Sequence, residues 1–448
     1  MNSLQQFLRK ASEGELAGIE GSRHQRFNPS VKVTGEALTA SIPHMYLWLD
    51  YLCIPQPGAV EVPPMSDEPV NAEWSEFDSR SPAEGNGSNV VSLSHADQVN
   101  LCSAVSSGLQ HAATLALSQA TSSLPSYVER SACVLVLAPS CGSAPGGVRD
   151  YQSWRSRGWC RTELIAARLC VNPVRVMIVQ GGDAATEFVS SEDTNLLLAG
   201  EGSFSCCSRG RGHAECGVGE GGEGEEEGDK KPPPCDKVAV RAALDEMLDT
   251  KINFLLALRG DPQVLAEARF LEMARHWLLR GLPDPVIAPE DEETARPSEI
   301  TTVAGLKVRL RCRDEYEESV WTGATGWTLL HSAALCGSLG AVKSLVAEQP
   351  KSVNAALKND VPSCALYKGT TPLCFAMMFA SWDVAAALLD AGASPKARDS
   401  QGNGAFMLAC GLGRSENMRA WLARFPNWDL DGRRHKSTGV NALGCAGE

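Results

Sequence analysis

The sequence predicts an α/β domain, then a helical hairpin, then a C-terminal all-α stack of short repeats. Three observations carry that prediction. Between residues 46 and 180, short apolar runs alternate with stretches whose apolar residues recur at helical spacing. That alternation implies a parallel sheet with helices on both faces. Residues 236–282 hold two amphipathic helical stretches separated by a short RGDP break, which reads as a helix–turn–helix hairpin. Finally, aligning Gly326, Gly369, Gly402 and Gly439 brings GWTLLHSAA, GTTPLCFAM, GNGAFMLAC and GVNALGCAG into register, an internal repeat.

Composition narrows the function classes. A chain of 448 residues has room for two or three domains, and 43% apolar residues supply ordinary cores. The net charge of -13 opposes binding to a phosphate backbone, so no nucleic-acid partner is expected. The longest apolar run, 132–138, has the length of a strand, so no membrane span is expected. The N-terminus, MNSLQQFLRKASEGELAG, lacks the apolar core of a secretory signal and is compatible with a short helix. The rest of 1–45 offers only VKV and a short apolar stretch, a poorly defined segment. Without a secretory signal, the 16 cysteines, Cys133 and Cys170 among them, read as reduced, buried thiols of a cytoplasmic protein.

The α/β domain is placed at 46–198. It opens on YLWLDYLCIPQ (46–56), an apolar strand interrupted by Asp50. Pro55 cannot donate to a ladder, so Cys53–Gln56 should leave the sheet as a loop. Asp50 has two readings: a carboxylate that satisfies backbone donors and pins this loop, or a site residue. The polar stretch 57–100 reads as an exposed, mobile insertion. Residues 122–140 read as a short helical approach into the strand ACVLVLA. SWRSRGWCRTELIAARL (153–169) reads as a loop entering a helix, with Ser156 or Gly158 as its cap and Ile165 and Leu169 facing inward. VRVMIV (174–179) is the next strand. WLDYL, ACVLVLA and VRVMIV should be neighbours in a mostly parallel sheet.

Residues 199–235 are rich in Gly and Glu and hold three consecutive prolines, the composition of a disordered linker. In the hairpin, Asp261 is placed as N-cap, Pro262 as first helical residue and Gly281 just beyond the end. A linker that holds the acidic stretch APEDEETARPSE is placed at 283–322, and the repeats at 323–448. Glycine opens each repeat because it permits a tight turn; Thr328 and Thr371 can hydrogen-bond across it, and Pro372 starts a helix. Leu345-Val346, Leu388-Leu389 and Trp421-Leu422 fall at equal offsets from their glycines, so Leu345, Leu388, Leu389 and Leu422 should line a shared apolar seam. The first unit carries roughly ten extra residues, including DVPSCALYKG, expected in a loop between repeats. The fourth unit is expected to be incomplete, either cut within its first helix or frayed. The alternative to a repeat stack is an irregular helical bundle.

Trp159, Cys160, Glu163 and Leu164 form a W-C-x-x-E-L pattern opening a helix, which resembles the TIR domain family. WLDYLCIPQ resembles the corresponding segment of the fungal heterokaryon-incompatibility domain, a TIR-like fold, through Trp48, Asp50, Leu52, Cys53, Ile54 and Gln56. The glycine-opened units resemble ankyrin repeats, in which the position of His331 is a structural histidine. These resemblances imply a TIR-like, flavodoxin-like parallel sheet fused to an ankyrin-repeat stack. Both sheet families open with a strand and helix ahead of the WLD strand, where this chain offers only 1–45.

The TIR resemblance implies NAD as a substrate, cleaved at the nicotinamide–ribose bond through an oxocarbenium-like transition state that a fixed carboxylate stabilises. Glu163 is the matched catalytic position. Trp159 lies four residues earlier on the same helical face and could stack on nicotinamide; Arg157, with Arg155, could attract phosphates. The structural reading of the same residues makes Glu163 a first-turn acid favoured by the helix dipole, Trp159 core and the arginines a solvated face. The repeat and TIR resemblances imply protein partners and self-association. Cys206, Cys207, His213, Cys216 and Cys235 could ligate zinc, but two are adjacent and the spacing matches no common finger, so no metal is expected. Walker, G-x-S-x-G and H-E-x-x-H patterns do not occur in the sequence. Two classes remain: a signalling or scaffold protein, and an NAD-cleaving hydrolase governed by its repeats.

Overall fold

The computed structural model describes residues 2–16, 18–21, 32–44, 123–140, 150–180, 186–189, 197–204, 207, 235–258, 261–283, 300–311, 315–430, 439 and 441–442. The WLDYL strand, Asp50, the Cys53–Gln56 loop and the 57–100 insertion lie outside them. Over the described residues the chain is mixed α/β and mostly helical. No helix among the described residues is long and apolar enough to cross a membrane.

Among the described residues the sheet has five strands: β1 (Gly18–Gly21), β2 (Lys32–Thr34), β3 (Cys133–Leu137), β4 (Arg175–Val179) and β5 (Glu187–Val189). Their order is β2-β1-β5-β4-β3. ACVLVLA and VRVMIV are parallel neighbours as expected, with Cys133 opposite Arg175 and Leu137 opposite Val179. The expectation of a mostly parallel sheet is corrected. β5 runs antiparallel to β4, β1 parallel to β5, and β2 antiparallel to β1. The β4–β5 connection explains the reversal: residues 180–186 are too few for a crossover, which needs about a dozen or more, but suit an antiparallel return.

The N-terminal segment is also better defined than its sequence suggests. Helix α1 (Asn2–Ser12) and helix α2 (Gly35–Ser41) cover one sheet face. Leu4, Phe7, Leu8 and Ala11 recur at helical spacing, and Phe7, Ala11 and Leu38 pack with Met177, Val179 and Phe188. Burying the larger of these side chains stabilises by about 1.5–3 kcal/mol each. Thr34 caps α2, its Oγ1 accepting from the Ala37 N–H at 3.2 Å.

Strand alternation turns Val176 and Ile178 to the opposite face. Between β3 and β4 the chain forms α3 (Tyr151–Arg155) and α4 (Gly158–Leu169), and α4 packs on β4. Residues 153–155, expected in a loop, are helical because Asp150 and Ser153 make a reciprocal capping box. Ile165 and Leu169 are buried as expected.

The hairpin forms α5 (Asp236–Ala257) and α6 (Pro262–Leu278). Asp261 caps α6, accepting from the Gln263 N–H at 2.8 Å, and Gly281 takes a left-handed φ of 77° beyond its end. Helix α5 packs on α4. Its Lys251 is buried and donates to the carbonyls of Cys170 (3.0 Å) and Val171 (2.8 Å), satisfying acceptors at the end of α4. Burial pushes the Lys251 ammonium down, against the pull of Glu267.

The acidic stretch APEDEETARPSE lies outside the described residues, while the rest of the 283–322 linker contains α7 (Val303–Arg309) and the start of α8 (Glu315–Thr325). Thr302 caps α7, and Trp321 of α8 is buried beneath the Arg269 guanidinium of α6, 4.2 Å from its ring.

Three helix pairs follow: α9 (Leu329–Cys336) with α10 (Leu339–Glu348), α11 (Pro372–Phe379) with α12 (Trp382–Asp390), and α13 (Ala405–Gly411) with α14 (Ser415–Arg424). First helices pack on first helices and second on second. All four aligned glycines have φ between 68° and 96°. A Cβ on Gly326 would sit 2.3 Å from the Ala356 carbonyl oxygen, so the turn has no room for a side chain. Successive turns are tied by equivalent bonds, Lys358 N–H to Thr325 O (2.8 Å) and Ser400 N–H to Lys368 O (2.6 Å). Leu345, Leu388 and Leu389 are buried. Leu422 is only half-buried; Trp421 beside it takes the buried position among Phe406, Phe425 and Trp428.

The inserted DVPSCALYKG is more than a connecting loop. Val361 and Leu366 form a bridge, Cys364 and Leu366 are buried, and the Ser363 carbonyl accepts from Arg168 of α4 at 3.1 Å. Helix α6 packs on α9, with Phe379 of α11 edge-on to Phe270 and Trp277, both at 5.7 Å.

Candidate functional site

Helix α4 begins on the carboxyl side of β3, where open α/β sheets place ligands. Its first backbone donor is already engaged. Gly158 N–H donates to the Ser203 carbonyl at 2.8 Å, and Ser203 N–H donates back to Ser156 at 2.8 Å. Neither Ser156 nor Gly158 caps the helix; Arg157 holds the N-cap position without a side-chain cap bond.

The strap that makes these bonds, 197–204, falls mostly within the stretch expected to be disordered. It is packed instead: Leu197, Leu198, Ala199 and Phe204 are buried. Its glycines permit close approach rather than flexibility. A Cβ on Gly200 would lie 2.2 Å from the Arg280 carbonyl oxygen, and one on Gly202 would lie 2.5 Å from Gly158 Cα. A Cβ on Gly158 would in turn meet the Phe204 ring.

The three site residues predicted from sequence all lie on this helix start. Arg157 is exposed, and its guanidinium donates to the Cys160 thiol from Nε (3.1 Å) and Nη2 (2.9 Å). Trp159 is half-buried, edge-on to Phe204 at 6.2 Å, and its indole N–H donates to Asp236 Oδ2 at 3.1 Å. Glu163 is half-buried one turn further along the same face. It stands in the second turn of α4, not the first, because the helix starts at Gly158.

Arg155 packs over the Tyr151 ring at 5.6 Å. Arg161 donates to the carbonyls of Arg155 (2.6 Å) and Leu198 (3.1 Å), fastening the strap, and burial pushes its guanidinium pKa down. Sequence reasoning missed Ser203, Phe204 and Asp236. Their partners lie some 45 to 77 residues away, and the one local signal, the paired Gly200 and Gly202, looks the same as linker composition.

Of the five candidate metal ligands, Cys206, His213 and Cys216 lie outside the described residues. Cys207 and Cys235 approach with sulfurs 3.7 Å apart. Among the described residues no group of three metal-ligating side chains converges. His331 is buried: its Nδ1 accepts from the Thr328 N–H (3.1 Å), which leaves Nε2–H facing the Thr370 carbonyl (3.4 Å) in the next repeat. Burial pushes that imidazole down to about 3.

No protein-family model matches the chain, and no curated protein matches it.

Proposed function

We propose that this chain is an intracellular signalling or scaffold protein, which binds partner proteins through an ankyrin-type repeat stack carried beside a TIR-like domain. The observation that carries the reading is the register of the three helix pairs. Glycines in left-handed conformation, turn-to-turn hydrogen bonds and packing of like helices on like helices recur from unit to unit. Repeats of this kind present an extended surface whose turn tips and helix faces are free to vary. Lys358 and Asn359 are exposed on one such turn. A second protein contact is self-association of the TIR-like domain.

The NAD-cleaving reading has one observation in its favour: Trp159 and Glu163 share a face of α4. Two observations weigh against it. The helix-start N–H of Gly158 is taken by Ser203, and the Trp159 ring is held by Phe204 and Asp236 rather than left open to stack on a base. One experiment separates the readings. Purified wild-type protein and Glu163→Gln are incubated with NAD, and free nicotinamide is measured. The scaffold reading expects no release by either protein. Release by the wild type that falls at least a hundredfold in Glu163→Gln, with Tm unchanged, makes the chain an NAD hydrolase with Glu163 as its catalytic carboxylate.

A further inference from the structure

Two thiols stand where the strap over α4 meets the start of α5. Cys207 lies three positions beyond the end of the strap, and its N–H donates to the Phe204 carbonyl at 3.1 Å. Cys235 occupies the N-cap position of α5, beside the Asp236 carboxylate that holds Trp159. The two sulfurs are 3.7 Å apart although the residues are 28 positions apart in the chain. A disulfide needs about 2.05 Å, so the two sulfurs must close by less than about 2 Å to bond.

We propose that Cys207 and Cys235 form a reversible, peroxide-driven disulfide that locks the strap across the start of α4. Cys207 is half-buried and open to a small oxidant, while Cys235 is buried behind it and acts as the resolving thiol. The Cys207 thiolate attacks the O–O bond of hydrogen peroxide, forming an S–O bond and releasing hydroxide. The Cys235 thiolate then attacks that sulfur, forming the S–S bond and displacing a second hydroxide. The protons of the two thiols convert the hydroxides to water, so two thiols and one peroxide give one disulfide and two waters. A cellular dithiol reverses the step by exchange. Burial pushes the Cys170 and Cys364 thiols up to about 12, which leaves those two little thiolate.

The consequence follows from what the strap covers. Ser203, Phe204 and Leu198 hold Gly158, Trp159 and Arg161. In the reduced protein the strap is held by non-covalent contacts, these among them. In the oxidised protein it is also tied covalently to α5, which packs on α4. Oxidation therefore closes the α4 start, and reduction makes its opening easier, whatever that helix start binds.

The full chain is tested after reduction, with and without equimolar hydrogen peroxide. Digestion without reductant should yield one linked peptide joining Cys207 and Cys235, lost on adding a dithiol. The link should persist in Cys206→Ser and vanish in Cys207→Ser and in Cys235→Ser, with Cys235→Ala as substitute if serine at the buried position impairs folding. Hydrogen exchange at the Gly158 and Ser203 amides should slow at least tenfold on oxidation of the wild type and stay unchanged in the Cys207→Ser variant. The proposal is overturned if both sulfurs remain open to alkylation under peroxide. Persistence of the link in Cys207→Ser, or a link that leaves both amides exchanging at their reduced rate, overturns it equally.

Discussion

The repeat units and the sheet are held together over very different distances along the chain. In the repeats, Lys358 reaches back to Thr325 and Ser400 to Lys368, about one unit away. In the sheet, β1 at residues 18–21 lies against β5 at 187–189, and the Gly158 amide meets Ser203. The nearest-neighbour arrangement repeats one set of local contacts, so any single unit resembles the next. The sheet depends on a few unique long-range pairings. Stability in a repeat stack is a sum of unit and interface terms, and loss at one interface is felt by both neighbours. In this protein the helical hairpin extends that logic beyond the repeats, since α6 packs on α9 and α5 packs on α4.

The strongest test of that extension is Phe379→Ala. Phe379 is buried, edge-on to both Phe270 and Trp277, and its carbonyl lies 3.4 Å from His276 Nε2. Truncating it removes the aromatic contact between hairpin and repeats and should cost about 3–5 kcal/mol. If the hairpin and repeats unfold as one unit, chemical denaturation of the variant should remain a single transition at lower midpoint. Two separated transitions would instead mark the repeats as an independent body. Leu388→Ala, at a fully buried position within a repeat, should cost about 2–5 kcal/mol without changing that cooperativity.

Acid should act on the repeats more than on the sheet core, through His331. The group is buried and its pKa is pushed from 6.5 to about 3, so the folded protein holds it neutral. Between those two values the unfolded chain binds a proton that the folded chain does not. Stability is therefore fully present above about pH 6.5 and falls as the pH drops toward 3. The slope from this one group approaches 1.4 kcal/mol per pH unit. His331→Gln should flatten the midpoint-against-pH curve between pH 6 and 4. A curve of unchanged slope would show that other groups govern acid sensitivity.

The same contrast explains what the sequence made legible. The glycines at 326, 369, 402 and 439 were readable because a left-handed turn is a local requirement that few other residues meet. Asp261, Pro262 and Gly281 mark their helix ends for the same reason. ACVLVLA and VRVMIV were readable as neighbouring strands because each is a continuous apolar run flanking a helix. β1 was not: GIEG is four residues long, two of them glycine, and carries no alternation to detect. Nor was the strap, because Gly200 and Gly202 look like linker glycines until Arg280 and Gly158 are brought against them. At the candidate site, the Trp159–Glu163 spacing was legible, whereas the cover supplied by Ser203 and Phe204 was not.

Gly200→Ala turns that lesson into a measurement. A linker glycine replaced by alanine gains roughly 0.4–1 kcal/mol, because the unfolded chain loses freedom. Here the added methyl would face backbone of Arg280, Gly281 and Leu282 at 2.2–2.6 Å, with no flexible side chain able to yield. The variant should lose about 1–3 kcal/mol, and the sign of the change alone decides between packed strap and loose linker.

The smallest effect is expected at the surface of the stack. Arg424 of α14 donates to Asp390 of α12 at 2.7 Å, joining second helices of adjacent repeats. Both side chains are well exposed, 36% for Arg424 and 68% for Asp390. Water and salt screen such a pair, and holding two long side chains in one geometry costs rotamer entropy. Asp390→Asn should therefore change stability by less than about 0.5 kcal/mol, and less again in high salt. A loss above 1 kcal/mol would mean that the second helices depend on this pair for their register, and that the apolar seam of Leu345, Leu388 and Leu389 does not set it alone. The double variant with Arg424→Ala settles the matter: losses that add give no coupling, and losses that overlap measure it.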